Sequence, residues 1–458
     1  MTAIANLITA PLSIMFNWLN GLWSLIRLAG LAVSALPGSG GSAKSRVIGV
    51  VKTAEGQRLA LAVARAFLPN IVLSKSLIKS YENTGTAIVT RREDVLDVLN
   101  RNEDFAVVYG PRMRNITAGE NFFLGMQPGW PYTRDTSSMR LAARRSDVAD
   151  IVLPRASSEA GKRVAAQAGP GGGSIDLPQD LSLHVPADMV AHYFGTPGPS
   201  EAEMIDWTTI MFWYLFSDLG ADPEVGERAL AAADAARAYL DGAIAARKAD
   251  PNENDDVLNR CLALQSAGTP GMDDLGIRNN MIGLLIGAIP TISKASVLAM
   301  DELLRHPEAL AGAQKAARAD DDALVAQHIW EALRFNPHQP LIYRRATRDA
   351  VIAPSSLRRR TIPKDSMVMA VTLSATFDTL EIPDANSFRT DRPWETYMTW
   401  GYGMHECFGA AINQAVIPAI LKPVLKLKNL RRAAGPAGQI DTGPTPFPQH
   451  FVLDFDPE

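Results

Sequence analysis

The ten residues Trp400-Gly401-Tyr402-Gly403-Met404-His405-Glu406-Cys407-Phe408-Gly409 constrain this 458-residue chain more than any other stretch. They set one of only two cysteines in a glycine-punctuated turn, just ahead of an apolar stretch that reads as a helix over Ala410–Leu427. Glycine lets a backbone take positive φ and pass close to a flat, bulky group. Backbone N–H groups near a helix N-terminus stabilise a thiolate and can donate to its sulfur. The second cysteine, Cys261, falls in a helical-looking segment and reads as a small buried hydrophobe. Two cysteines make no disulfide framework, so a reducing compartment is the expectation.

Periodicity sets the class. Apolar residues recur at helical spacing over Ile277–Arg305 and Ala323–Arg334, and Ala229–Lys248 is alanine-rich with charges at the same spacing. Short β-like pieces lie at Thr86–Thr90, Leu341–Arg344 and Ser366–Val371. Strands and helices do not alternate as in a doubly wound sheet, so the expected class is mainly α with a minor β part. The chain is 47% apolar and 21% charged, which excludes disorder, collagen and a coiled coil. A net charge of −4 gives no basic excess for a nucleic-acid partner, and none is expected. Gly-x-Ser-x-Gly and His-Glu-x-x-His are absent from the sequence, and the glycine-rich Gly169–Ser174 lacks the lysine of a phosphate cradle.

The amino end differs from the rest. Between Ala3 and Leu36 the only charged side chain is Arg27. Asn6, Ser13, Asn17, Asn20, Ser24, Arg27 and Ser34 recur at spacings that put them on one stripe of a helix, with Leu, Ile, Trp and Phe around the rest. This pattern suits a helix in a membrane interface, or docked on an apolar surface, better than a spanning one. Packing on its own domain is the plain alternative. No basic segment precedes the apolar run, which argues against a secretory signal. The expected organisation is an amphipathic helix over 1–36, a hinge over 37–44 and a single large catalytic domain over 45–458.

A lone thiolate held in such a loop is an axial ligand for haem iron. The segment resembles the cysteine-ligand loop of the cytochromes P-450, whose pattern is Phe-x-x-Gly-x-x-x-Cys-x-Gly, often with His two before the Cys. Gly403, His405, Cys407 and Gly409 match, Gly401 matches an extended form, and Trp400 stands where the family has Phe. The resemblance implies the cytochrome P-450 fold with haem b (iron protoporphyrin IX), Cys407 as metal ligand and His405 on a haem propionate.

Further motifs support it. The family's Glu-x-x-Arg occurs three times, at Glu55–Arg58, Glu302–Arg305 and Glu331–Arg334. Only the third is followed by Phe335-Asn336-Pro337 and stands at the family's separation from Cys407. With Arg392, in Phe388-Arg-Thr-Asp-Arg392-Pro393, it implies a buried charge network of Glu331, Arg334 and Arg392. The other two copies read as ordinary exposed i,i+3 pairs. By resemblance Arg344 binds a propionate, as does Arg134 of Trp130-x-x-x-Arg134, with Arg140 and Tyr132 as local competitors. Arginine suits the task because its planar fork matches a carboxylate.

The chain departs from the family on the helix expected across the distal haem face. Where monooxygenases of the family show Ala/Gly-Gly-x-Asp/Glu-Thr, this sequence reads Gly287-Ala288-Ile289-Pro290-Thr291. The alcohol is kept as Thr291, and the acid is replaced by Pro290. Proline removes a helical donor, frees the carbonyl of Ile286 and is expected to kink the helix there. A water on that carbonyl, together with Thr291, would then deliver protons. The implied function is a monooxygenase inserting one oxygen atom from O2 into a hydrophobic small molecule. Peroxide-driven oxygenation, hydroperoxide rearrangement and a non-catalytic haem sensor or carrier are the alternatives. A monooxygenase needs a ferredoxin-type or other external redox partner, and the basic cluster Lys422, Lys426, Lys428, Arg431 and Arg432 could face it. The aromatics Trp207, Phe212, Trp213, Tyr214 and Phe216 fall where the family roofs its pocket. The expected location is cytoplasmic, with peripheral membrane contact through residues 3–36 as the open addition.

Overall fold

In a computed structural model the described residues are 2–37, 42–169 and 171–457, with side chains described from Ile14 onward. The central residues of the expected hinge, 38–41, and the side chains of Asn6 and Ser13 lie outside them. The chain divides into two compact units. One joins residues 1–78, 82–106 and 333–406, and the other joins 79–81, 107–332 and 407–458.

The first unit is built on a five-stranded sheet. Its strands lie in the order Asn70–Leu73, Thr86–Val89, Met367–Ala370, Ile342–Ala346 and Phe105–Ala106. Thr86–Val89 pairs parallel with Met367–Ala370 and the remaining pairs are antiparallel. The strands match the β-like pieces read from sequence to within two residues at each end, because β-branched and apolar runs bounded by turn residues suit a buried sheet. Val89, Val95, Val98, Leu99, Phe105, Ala346, Val368 and Ala370 close its core.

Helices Thr2–Ala35 and Ala54–Phe67 pack together in this unit. The first presents its polar side inward. Asn17 and Ser24 are buried, Gly21 is crowded against Ala66, and Asn20 Oδ1 accepts from Asn386 Nδ2 at 3.0 Å. Phe16, Trp18, Leu22, Trp23, Ile26 and Val33 are exposed. Asn17, Asn20 and Ser24 of the polar stripe therefore form an internal seam, where small and amide side chains allow close approach to the neighbouring helix, while Arg27 and Ser34 stay exposed.

The second unit is organised around the helix Asp274–Arg305, begun by Asp273, whose side chain accepts from the Gly276 N–H at 2.8 Å. Helices His184–His192, Glu201–Phe212 and Pro223–Ala249 pack on it, as does the cysteine helix Ala410–Lys426. Ser200 caps Glu201–Phe212, its Oγ accepting from the Glu203 N–H at 3.2 Å and donating to Glu203 Oε2 at 2.7 Å. A three-stranded antiparallel sheet, Gly173–Asp176, Val452–Asp456 and Lys428–Arg432, completes the unit.

Candidate haem-thiolate site

Cys407 lies half-buried in the second unit, just before the cysteine helix. Its carbonyl accepts from the Ala410 N–H at 3.2 Å, and a Cβ on Gly409 would stand 3.9 Å from its sulfur. Phe408 beside it is sandwiched: its ring lies 5.0 Å from that of Phe123, and the Arg140 guanidinium sits 3.7 Å above its centroid. Arg140 also donates to the Phe408 carbonyl at 2.8 Å. Arg134, the arginine of the expected motif, turns elsewhere. Its Nε pairs with Asp135 at 2.6 Å beside Gly271, and Trp130 is largely exposed. The structure thus brings Arg140, and not Arg134, to the cysteine loop. Both begin the same way from helix Trp130–Ala142, and only the neighbour each side chain finds separates them.

In the first unit the loop preceding the cysteine is held by two glycines that need their freedom. Gly401 has φ +85° and Gly403 has φ +74°, and a Cβ on Gly403 would come 3.3 Å from the Leu99 carbonyl. Trp400 stacks on Trp394 at 5.3 Å. His405 follows on a short 3-10 turn and Arg344 is buried on strand Ile342–Ala346. Burial, and secondarily the positive charge of Arg344, pushes the His405 imidazole down to about 4, so it is neutral at neutral pH.

The Glu-x-x-Arg readings separate in the structure. Glu331 and Arg334 are both buried on helix Asp322–Phe335. Arg334 lies over the rings of Phe335 and Phe377 and donates to the carbonyls of Thr376 at 3.1 Å and Ser387 at 3.2 Å. Arg392 donates to the same Ser387 carbonyl at 2.8 Å and to those of Pro383 and Asp384. The two arginines meet on backbone oxygens. The other two copies meet further partners. Glu55 pairs with Arg27 while Arg58 donates to the Phe335 carbonyl, and Glu302 meets His306 while Arg305 meets Asp301. Glu302 and Arg305 each meet a residue four positions away, an i,i+4 contact worth only about 0.2–0.5 kcal/mol.

On the long helix, Pro290 is buried and the helix continues through it to Arg305. The expected proline position is accommodated within a continuous helix. The Thr291 hydroxyl donates to the Gly287 carbonyl and, at 3.3 Å, to that of Ala288. Gly287 is exposed although the residues around it are buried, and a Cβ there would meet nothing within 4 Å. One side of the helix thus borders open space at the turn that carries Thr291.

Those observations test the fit of a haem. A planar macrocycle needs a flat, open helix surface on one side and a sulfur with apolar surroundings on the other. Gly287 offers the first. Cys407 offers the second, with Phe408, Ala410, Ala411 and Ile412 left half-exposed around it. In the first unit, taken by itself, Arg344 and His405 are donors of the kind that suits propionate carboxylates. The residues present fit the group.

The comparisons with known proteins agree. The family model described as cytochrome P-450 matches residues 81–427. This chain belongs to the cytochrome P-450 family. This P-450 is 42% identical over 71 residues to linoleate diol synthase of Gaeumannomyces graminis, a match covering 16% of the chain and 6% of that protein's length. It is 26% identical over 344 residues to cyclomarin C epoxidase CymV of Salinispora arenicola, covering 74% of the chain and 81% of the relative. Its fold resembles P450BioI, solved in complex with a hexadec-9Z-enoic acid-ligated acyl carrier protein, with a TM-score of 0.74 at 17% identity over 89% of this chain and 100% of that one.

Two further expectations resolve in this P-450. The basic cluster is largely neutralised: Lys422 pairs with Asp320 and Asp322, Lys426 with Asp320, Arg431 with Asp456 and Arg432 with Asp301. It offers little unbalanced charge to a partner. The aromatics divide. Tyr214 is buried under Arg112, and Phe212 is buried against the half-buried Phe216, their rings 4.6 Å apart.

Proposed function

We propose that this P-450 is a monooxygenase that inserts one oxygen atom from O2 into a hydrophobic, lipid-derived small molecule, with residues 45–458 as the haem domain and haem b held by Cys407. The observation that carries the reading is the half-buried Cys407 sulfur, set behind two positive-φ glycines and ringed by half-exposed apolar residues. Haem held by a cysteine thiolate supplies the activation of oxygen. His405 and Arg344 are the residues for the propionates, and Arg140 braces Phe408 beside Cys407, with Arg134 and Trp130 earlier on the same helix. Trp400, Gly401, Gly403 and Gly409 shape the loop, and Arg334, Arg392 and Glu331 brace the segment before it.

Proton delivery rests on Thr291 and on the backbone. The Thr291 hydroxyl holds its proton toward the Gly287 carbonyl, one turn back on the helix. Pro290 has no N–H, so the Ile286 carbonyl keeps an acceptor site that a water can fill. A proton passing from that water to Thr291 Oγ would be matched by the hydroxyl's own proton moving on into the reaction chamber, with the water reprotonated from solvent and no carboxylate involved.

The lipid-derived substrate class is supported by the aromatic run and by the fatty acids named for linoleate diol synthase and the P450BioI complex. Electrons come from a separate ferredoxin-type or similar protein. Arg140, with exposed Arg144, Arg145 and Leu141 on the cysteine-loop side, is the surface that suits it. The outward Trp18, Leu22, Trp23 and Ile26 favour a cytoplasmic protein resting peripherally on a membrane interface.

The test is the spectrum of the reduced, carbon monoxide-bound protein, followed by turnover with oxygen and reductant and, separately, anaerobically with a hydroperoxide. The thiolate signature should be present and be lost in Cys407→Ser. Product formed from hydroperoxide alone, with none from oxygen and reductant, would replace the monooxygenase reading by a peroxide-driven one.

A further inference from the structure

Lys294 has no place in the chemistry above. It lies on helix Asp274–Arg305, three residues beyond Thr291 and four beyond Pro290, so all three share one face. Its immediate neighbours Ser293 and Ala295 are buried, and Ser293 is tied to Ser182 by a 2.9 Å hydroxyl contact that fixes this turn. Among the described residues it has no carboxylate partner and makes no hydrogen bond. The interaction it does make is with an aromatic ring, the ammonium standing 5.5 Å from the centroid of Phe447.

That contact begins a chain of rings in the same unit. Phe447 lies 5.9 Å from Phe212, Phe212 lies 4.6 Å from Phe216, and Phe216 lies 4.8 Å from Tyr109. The π turn Trp213–Ser217 carries Phe216 into line, and Arg112 anchors that turn through Asp218 at 2.9 Å. Lys294 keeps some accessible surface, yet burial alone pulls its ammonium down to about 8. A cation in such a place, with only a ring beside it, is costly unless an anion joins it. A structural lysine would be expected to have a carboxylate or carbonyl within reach, and this one has neither.

We infer that Lys294 binds the carboxylate of the substrate, so that this P-450 takes a hydrophobic acid whose apolar body lies along Phe447, Phe212 and Phe216. The inference rests on the reading of the Thr291 helix face as the reaction chamber and narrows its substrate class. The cation supplies the polar anchor and the rings supply apolar area, the usual division of labour in a small-molecule pocket.

The experiment is calorimetric binding of dodecanoate and of its methyl ester to the full-length, haem-loaded protein near neutral pH, in the wild type, Lys294→Met and Lys294→Arg. The two ligands share an apolar chain and differ in charge. The wild type should prefer dodecanoate by about tenfold or more, as expected for a charge-assisted pair in a desolvated site. Lys294→Met should erase that preference while ester affinity stays within about threefold, and Lys294→Arg should keep the preference in part. Circular dichroism of each variant establishes that it is folded. Equal affinities in the wild type, or an undiminished preference in folded Lys294→Met, would overturn the inference. The carbon monoxide spectrum of the same preparations reports the thiolate site independently. An intact spectrum without acid preference removes this inference alone, whereas a missing thiolate signature removes the reading beneath it.

Discussion

At Gly287 the absent side chain matters more than most side chains present. Mid-helix glycine is destabilising relative to alanine by roughly 0.5–1 kcal/mol, through the conformational freedom it loses on folding. A Cβ here would meet nothing within 4 Å. Gly287→Ala should therefore stabilise the haem-free protein by about that amount, read as a rise of about 2 °C in its unfolding midpoint, since bound haem would occupy the space the Cβ enters. A fall would mean that this side of the helix is closed and would remove one leg of the haem fit. The same residue scale separates Arg140 from Arg134. Six positions apart on one helix, they find different neighbours, Phe408 and Asp135. Lys294 belongs with them, since its unpaired state is a property of its surroundings and of nothing local to its sequence.

Among the elements, the helix Thr2–Ala35 departs furthest from what its pattern suggested. Amphipathic reasoning assigns polar residues to water, yet Asn17, Asn20 and Ser24 face protein and the large apolar residues face out. Small polar residues at helical spacing can make a close helix–helix seam as readily as a wet face, and the moment alone does not distinguish the two. The outward indoles are the basis of the membrane proposal. Replacing Trp18 and Trp23 together by serine should reduce sedimentation of the full chain with lipid vesicles by about tenfold, since each buried aromatic contributes about 1.5–3 kcal/mol at most. Unchanged co-sedimentation would sink the anchor. Circular dichroism should be unaltered, because both residues are exposed.

Across the whole molecule, the sheet-bearing unit is assembled from three separate stretches of chain, 1–78, 82–106 and 333–406. Asp378 shows how they are joined. It is fully buried and accepts from Arg91 Nε at 2.6 Å and from the Arg92 N–H at 3.0 Å, across a separation of 287 residues. Removing one partner of such a pair leaves the other charged and dry, which costs about 3–5 kcal/mol. Asp378→Ala should lower the stability of the protein by that order in chaotrope unfolding. A loss below about 1 kcal/mol would show that the pair is solvated and does not tie the unit together.

What could be read from the residues alone was whatever depends on local geometry. The cysteine loop, with glycines at the two positions that take positive φ, is such a case, as are the strands near Thr86, Ile342 and Met367 and the long helix bearing Pro290 and Thr291. Their spacing is set by φ/ψ limits and by the helical and extended repeats, which act over a few residues. Tertiary structure decided which Glu-x-x-Arg copies pair with what, which arginine reaches the cysteine loop, which side of the first helix is buried and why Lys294 stands alone. These depend on desolvation and on competition among partners, some adjacent like Asp135 beside Arg134 and others as distant as Phe408 from Arg140, and no short window of sequence says which partner wins.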